Sequence, residues 1–246
     1  MQRYFLNEDL KAQNPLPNEI YRHAIVVMRM KVGERFELVT PDELVHVVEI
    51  SQLENKKAFV KEVEVLKPVV ELPVRAHLFC GLSKKDKAEW VVQKATELGA
   101  DTITFFKGDW SVAKWDEKKQ VKKLERLAKI AQGAAEQSHR VHIPQIKFME
   151  NLNQLDLPLA TVGLCAYEEA AKEGEKSSMA KAMQLLKKDA KEVYAVFGPE
   201  GGLSPKETDL LKQKGFLMAG LGPRIMRTET APLYFLAALS FALELE

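Results

Sequence analysis

The stretch EVYAVFGPEGGLSPKE, residues 192–207, joins an apolar strand-like run to a proline, an acid and two glycines, and then to a helix start. Ser204-Pro205-Lys206-Glu207 has the pattern of a capping box. The Ser204 hydroxyl can accept from an early backbone N–H, Pro205 suits the first helical position, and Glu207 can reach back. Gly198 to Gly202 therefore lies between the C-terminal end of a buried strand and a helix N-terminus, which is where open α/β sheets bind ligands. Two phosphate readings fail on the residues themselves. The segment has no Gly-Lys-Ser/Thr to supply a P-loop lysine and magnesium hydroxyl, it has no G-x-G-x-x-G, and it comes late rather than after the first strand. Glu200 would further oppose a phosphate, so a neutral or cationic ligand is expected.

A second unusual loop follows the next strand. In LGPRIMRTETAPLY, residues 221–234, Gly222-Pro223 breaks the chain after GFLMAGL, and Thr228 or Thr230 can cap the last helix. Two consecutive strands thus end in glycine-proline loops at one edge of a sheet, where together they can form one pocket.

Working outward, strands and helices alternate from residue 73 onward. PVRAHLFCGL, DTITFF, PQIKF, LATVGLCAY, EVYAVF and GFLMAGL read as strands. KAEWVVQKATELG sets Ala88, Val91, Ala95 and Leu98 on one helical face, and WDEKKQVKKLERLAKIAQGAAEQ does the same for Val121, Leu124, Leu127 and Ala131. SSMAKAMQLLKK, SPKETDLLKQKG and TAPLYFLAALSFALE complete the helices. The pattern predicts a mostly parallel sheet with helices on both faces. The first seventy residues differ: FELVT, LVHVVEI and KAFVKEVEVL are short, Val-rich, antiparallel-type strands behind a short helix near NEIYRHAIVV, which predicts a small β-barrel or sandwich. KPVVELP, with Pro68 and Pro73, reads as the linker between the two.

An apolar fraction of 46% and a charged fraction of 29% describe an ordinary globular chain. MQRYFLNEDL does not read as a signal peptide and no run approaches the roughly 18 apolar residues of a membrane span, so a cytoplasmic protein is expected. Cys80 and Cys165, far apart in apolar runs, read as buried free thiols, and neither they nor the five His form a metal pattern. Net charge is +1, but Val74–Arg140 holds 14 Lys/Arg against 9 Asp/Glu, a local excess of +5 that fits a polyanion surface or a solvated helix face.

FGPEGGLSPKE and LGPRIMRTETAPLY, with KAEWVVQKATELGA (87–100) and AAEQSHRVHIPQI (134–146) upstream, resemble the bacterial 16S (small-subunit) ribosomal RNA uridine N3-methyltransferases of the SPOUT superfamily. MQRYF and RHAIVVMRMKVGE are similar to that family's amino-terminal region, so the resemblance covers nearly the whole chain. It departs in LVTPDELVHVVEI, where the family often has an Asp-Gly turn. The resemblance implies a PUA-like RNA-binding β-barrel over 1–70. Over 74–246 it implies a SPOUT-type α/β domain whose C-terminal loops form a deep trefoil knot. It also implies S-adenosylmethionine bent within those loops, a homodimer through the knot domain, and 16S rRNA or the assembled small ribosomal subunit as partner. Phe197, Gly198, Pro199, Glu200, Gly201 and Gly202 would hold the cofactor from the first loop, with bare glycine backbone allowing close approach. Leu221, Gly222, Ile225, Met226, Arg227 and Thr230 would hold it from the second.

Methylating uridine N3 requires loss of the imide proton, which spreads negative charge to O2 and O4; a base, a nearby cation or donor, and alignment of nitrogen, methyl and sulfur are therefore needed. Arg227 is expected to stabilise that anion or fix an RNA phosphate, and Glu229 to act as the base or as a structural carboxylate. For RNA the candidates are Arg3, His23, Arg29 and Lys31 in the first domain and Lys84, Lys85 and Lys87 in the second. Glu136, Gln137 and Arg140 are further RNA candidates, placed near the active site by the resemblance, although residues at a helix end also serve as caps or solvated groups. His139 and His142 read as surface or packing residues. Trp90, Trp110 and Trp115 have rings that can stack bases, with Trp90 assigned to packing. The rival readings are a nucleotide-dependent transferase or dehydrogenase on the same sheet edge, a non-catalytic RNA-binding or assembly protein, and a methyltransferase of the same fold with another RNA target.

Overall fold

The computed structural model describes residues 1–11, 15–84, 86–169, 177–188 and 190–245, and at 117–118 the backbone only. The chain divides into two compact units, Met1–Glu71 with Ala135–His142, and Leu72–Ala134 with Ile143–Glu246. The break falls inside KPVVELP, but residues 135–142, which a split into 1–70 and 74–246 assigns to the second domain, belong to the first unit.

In the first unit, β1 (Arg3–Phe5) runs parallel to β2 (Arg35–Val39), and β2, β3 (Val45–Glu54) and β4 (Lys57–Leu66) are antiparallel neighbours. The order is β1-β2-β3-β4, a four-stranded sheet among the described residues. Tyr4, Phe36, Leu38, Val48, Ile50, Ala58 and Val60 alternate inward and meet Ile20 and Ala24 of the helical turn α1 (Asn18–Tyr21), which continues as a π-helix over Arg22–Val27. Asn55 and Lys56 both have positive φ, 49° and 58°, as a two-residue hairpin turn requires. Glu43 takes φ 64° in the Thr40–Leu44 turn. The chain keeps a turn where the resembling family has Asp-Gly, with a glutamate in the left-handed region that glycine favours.

Residues 139–142 are stitched to this unit by charge. Glu71 accepts from the Arg140 guanidinium, from Val141 N–H at 3.0 Å and from His142 N–H at 3.2 Å. Arg3 donates from Nε to Glu37 at 2.8 Å and from its terminal nitrogen to the His139 and Arg140 carbonyls. Arg3 and Arg140 are each about 95% buried, being 5% and 4% exposed. Their assignment to the RNA surface is corrected: a buried guanidinium needs such partners to offset lost hydration, and here it has them within the protein.

The second unit is a six-stranded sheet of parallel neighbours in the order β10-β8-β9-β5-β6-β7. Its strands are β5 (Arg75–Gly81), β6 (Thr102–Phe106), β7 (Gln145–Met149), β8 (Thr161–Ala166), β9 (Glu192–Phe197) and β10 (Leu217–Ala219). Helices α2 (Lys87–Glu97), α3 (Glu117–Gln137), α4 (Ser178–Lys188) and α6 (Ala231–Ser240) share a core with Leu78, Ile103, Leu164 and Phe197 on one face. On the other face α5 (Pro205–Gln213) and residues 152–157 cover Phe79, Phe106, Cys165 and Val196. Both faces are thus dry, which explains continuous apolar strands such as TITFF. Val121, expected to point inward, is 58% exposed, because the buried stripe of α3 consists of later residues, Leu127, Ala131 and Ala134. Trp115 is buried and stacks on Phe148, whereas Trp90, expected in packing, is half exposed under the Lys94 ammonium.

Cys80 and Cys165 are free and buried, on opposite faces of the sheet. Burial pushes the Cys80 thiol up to about 12 and raises Cys165 as well, Glu207 adding to the latter. Both should therefore stay unmodified by a thiol-disulfide reagent at pH 8 and react only after denaturant is added, since the thiolate is the reactive form. Prompt labelling of the folded protein would contradict this burial.

Candidate functional site

After β9 the chain reverses direction across the sheet: β10 comes back past β8 to the outer edge. Ala166, Phe197 and Ala219 stand level on β8, β9 and β10, so the loops after these three strands leave the sheet together at its C-terminal edge. They enclose a cavity of about 670 Å³, which is in the range of small-molecule sites. Phe197, Gly198, Pro199, Glu200, Gly201 and Gly202 line it from one side and Leu221, Gly222, Ile225, Met226 and Arg227 from the other. Thr230 does not. It sits at the N-cap of α6 without a side-chain cap bond, while the Thr228 hydroxyl turns to Glu229 at 3.1 Å. The expected threonine cap is absent because Pro232 and the Arg227 carbonyl, which accepts from Thr230 and Ala231, already shape this start.

The glycines of the first loop have different reasons from those expected. A Cβ on Gly198 would meet Leu203 and the Gly202 backbone at 3.1–3.2 Å, and one on Gly201 would meet Trp110 at 3.0 Å. A side chain at either position would therefore crowd the protein itself. Gly202 and Gly222 instead have φ of 78° and 100° with nothing within 4 Å of a Cβ, so their bare backbone faces open space. Beneath the first loop lies another glycine whose reason local sequence does not reveal: a Cβ on Gly81, at the end of β5, would fall 2.3 Å from Pro199 N.

The base of the loop is fixed by a buried network. Ser204 N–H donates to Glu207 at 2.8 Å and Glu207 N–H to Ser204 Oγ at 3.2 Å, completing the capping box. Ser204 Oγ in turn donates to Asp109 at 2.6 Å, and Asp109 N–H donates to Glu207 at 3.1 Å. These bonds tie residues 108–111 to the loop and hold Trp110, half exposed, on the cavity wall.

Lys87, from the first turn of α2, reaches Glu200 of the first loop and Glu229 of the second, each at 3.2 Å. Lys84 N–H adds a 3.0 Å bond to the same Glu200 oxygen. Burial disfavours all three charges, but the two carboxylates outweigh it at Lys87 and raise its pKa. At Glu200 burial is outweighed by the Lys84 and Glu200 backbone N–H groups and Lys87, and at Glu229 by its own N–H, Lys87 and Thr228, so both carboxyls are held below their usual range. With the lysine raised and the acids lowered, the cluster stays ionised from weakly acidic to strongly basic pH. Lys87, expected at an RNA phosphate, is instead engaged by two carboxylates, and of the two roles expected for Glu229 this ion pair fits the structural carboxylate.

Arg227 is exposed and lines the cavity, and its side chain makes no hydrogen bond or ion pair among the described residues. Arg224, Tyr167, Glu168 and Glu169 also line it. Local reading does not single them out, although Tyr167 ends the LATVGLCAY run and the two acids follow it at the same edge. Among the RNA candidates, Arg29, Lys31, Lys84 and Gln137 are exposed. His23 is exposed and bonded to Tyr4 at 2.9 Å, Glu136 is half buried, and Lys85 lies outside the described residues. Burial, with Glu136 second, pushes the Tyr4 hydroxyl up to about 12. Among the described residues no cluster of three or more His, Cys, Asp or Glu is arranged to hold a metal ion, and no helix is long and apolar enough to cross a membrane.

Comparison with known proteins bears on this geometry. A family model described as an RNA methyltransferase domain matches residues 70–240, and one described as an RNA methyltransferase PUA domain matches residues 16–63. Ribosomal RNA small subunit methyltransferase E of Bacillus subtilis is 38% identical over 252 residues, covering 100% of this chain and 98% of its own length. The solved structure of ribosomal RNA small subunit methyltransferase E from Neisseria gonorrhoeae bound to S-adenosyl methionine is similar with a TM-score of 0.83 at 27% identity, covering 98% of this chain and 97% of that one. A putative methyltransferase of Legionella pneumophila in complex with the same cofactor has a TM-score of 0.81 at 30% identity over 98% and 97% of the two chains. An α/β unit of this SPOUT type, preceded by a PUA unit and matched end to end by such relatives, makes the chain a member of the RNA methyltransferase family, of the ribosomal RNA small subunit methyltransferase E kind.

Proposed function

We propose that this protein transfers a methyl group from S-adenosylmethionine to N3 of a uridine in 16S rRNA, in the cytoplasm, as a homodimer whose cofactor loops form a trefoil knot. The observation that carries the reading is the cavity at the strand reversal, bounded by two loops in a chain of this family. Its residues suit the methyl donor. Gly202 and Gly222 leave backbone groups open to an adenosine, Leu221, Ile225 and Met226 supply apolar wall, and Glu168, Glu169 and Glu200 set carboxylates on the lining that can face a cationic sulfonium.

Bound there, S-adenosylmethionine supplies an electrophilic methyl on a sulfonium. The protein's part is to orient and to stabilise charge. Arg227 is set to donate to O2 or O4 of the uracil ring as negative charge grows there, which makes loss of the N3 proton to solvent easier. Trp110 offers a ring face on the cavity wall to a planar base. Glu229 holds Lys87 and the approach to α6, a structural role and not that of proton acceptor. Arg29, Lys31 and Lys84 are the exposed cations available to RNA phosphates.

The test is transfer of labelled methyl from S-adenosylmethionine to small ribosomal subunits that lack the modification, followed by nucleoside mapping. Label in N3-methyluridine is the expected result. Label in another nucleoside would move the target, and RNA binding without transfer would favour the assembly-protein reading.

A further inference from the structure

Lys87 lies far in sequence from both loops, yet it touches an acid from each: Glu200 after β9 and Glu229 after β10, at 3.2 Å in both cases. All three side chains are less than one-third exposed, at 29%, 31% and 17%. The α2 start is also anchored to the first loop through Lys84 N–H and Glu200. The second loop is held at its ends, where Leu221 packs on the core and the Arg227 carbonyl accepts from Thr230 and Ala231, while the Arg224 and Arg227 side chains make no bonds among the described residues and Gly222 stands in open space. Without a shared cation, Glu200 and Glu229, which both meet the Lys87 ammonium, would be neighbouring like charges, which repel.

We propose that Lys87 is a positioning residue for this reaction, a clasp between two carboxylates that sets the spacing of the cofactor loops. The proposal rests on the reading of the cavity as the methyl-donor site. It concerns the loops themselves, so it can be tested with and without donor.

The first measurement is amide hydrogen exchange of the full-length protein without ligand, in wild type, Lys87→Met, Lys87→Arg and Lys87→Met/Glu200→Gln. Lys87→Met should speed exchange at 198–204 and 221–230 while leaving β5, β6 and β9 protected. Lys87→Arg should behave as wild type. The double variant should recover much of the protection, because glutamine can still accept from Lys84 N–H but no longer repels Glu229. The second measurement is S-adenosylmethionine titration with methyl-transfer kinetics. Lys87→Met should weaken donor binding and raise its KM about tenfold with kcat at saturating donor little changed, and the double variant should bind better than the single one. Unchanged loop exchange in Lys87→Met, or a double variant no better than the single in both measurements, would overturn the clasp: a lysine stem that merely packs cannot be rescued by removing an acid elsewhere. If wild type fails to bind the donor, the reading of the cavity falls, and loop exchange alone still decides the clasp.

Discussion

Gly81→Ala is expected to disable the enzyme and to lower its stability, even though it adds one methyl group. The new Cβ would lie 2.3 Å from Pro199 N, 2.5 Å from Pro199 Cδ and 2.9 Å from the Gly198 carbonyl carbon. These are backbone and ring atoms with no flexible end to swing aside, so either β5 or the loop must move. Overpacking of this kind costs about 1–3 kcal/mol. Because the loop carries Gly198 to Gly202 along the cavity, its displacement should weaken S-adenosylmethionine binding by about a hundredfold, more than the loss of global stability alone explains. Calorimetric binding and thermal melting check both halves. Gly133→Ala is the control: Gly133 sits in α3 with nothing within 4 Å of its Cβ, and the change should stabilise the helix by about 0.5–1 kcal/mol. A Gly81→Ala protein that melts and binds donor like wild type would show that Pro199 is not seated on β5.

Arg227→Ala is expected to act on turnover. Its guanidinium lines the cavity and makes no bond within the described protein, so removing it breaks no internal pair and should leave the melting temperature within about a degree. If Arg227 stabilises charge on the uracil oxygens, single-turnover methyl transfer should fall about 10²–10³-fold with donor affinity nearly unchanged. Arg227→Lys should restore only part, since an ammonium lacks the planar fork. A loss confined to donor or RNA affinity, with turnover intact at saturation, would move Arg227 from the reacting base to binding.

The course of the second unit was legible because its signals are local. Strand runs, the Ser204–Glu207 capping box and the two glycine-proline loops all depend on neighbours a few residues apart, and the structure sets both loops at one sheet edge. What stayed hidden depends on residues distant in sequence. The bond from Lys84 to Glu200 spans 116 positions, and nothing near Lys87 announces that two acids surround it; as a lone lysine beside Lys84 and Lys85 it read as a phosphate contact. Gly81 looked like one more small residue in a strand, since its reason lies in Pro199. Trp90 was given to packing by its sequence position beside an apolar stripe, while the structure buries Trp115 instead. Arg3 and Arg140 carry charge that composition assigns to the surface, and only the fold reveals Glu37 and Glu71 waiting for them.

The return of residues 135–142 to the first unit sets a limit on dissecting this molecule. A fragment begun at Leu72 would still carry Val141, now stripped of Val39 and Val45, and the Arg140 guanidinium, now without Glu71. Conversely, a fragment ended at Glu71 would leave Arg3 without the two carbonyls it holds. Neither half can be cut free within the proline-rich linker without parting Val141 from Val39 and Val45 and Arg140 from Glu71, so domain-by-domain expression should yield poorly behaved pieces where the intact polypeptide does not.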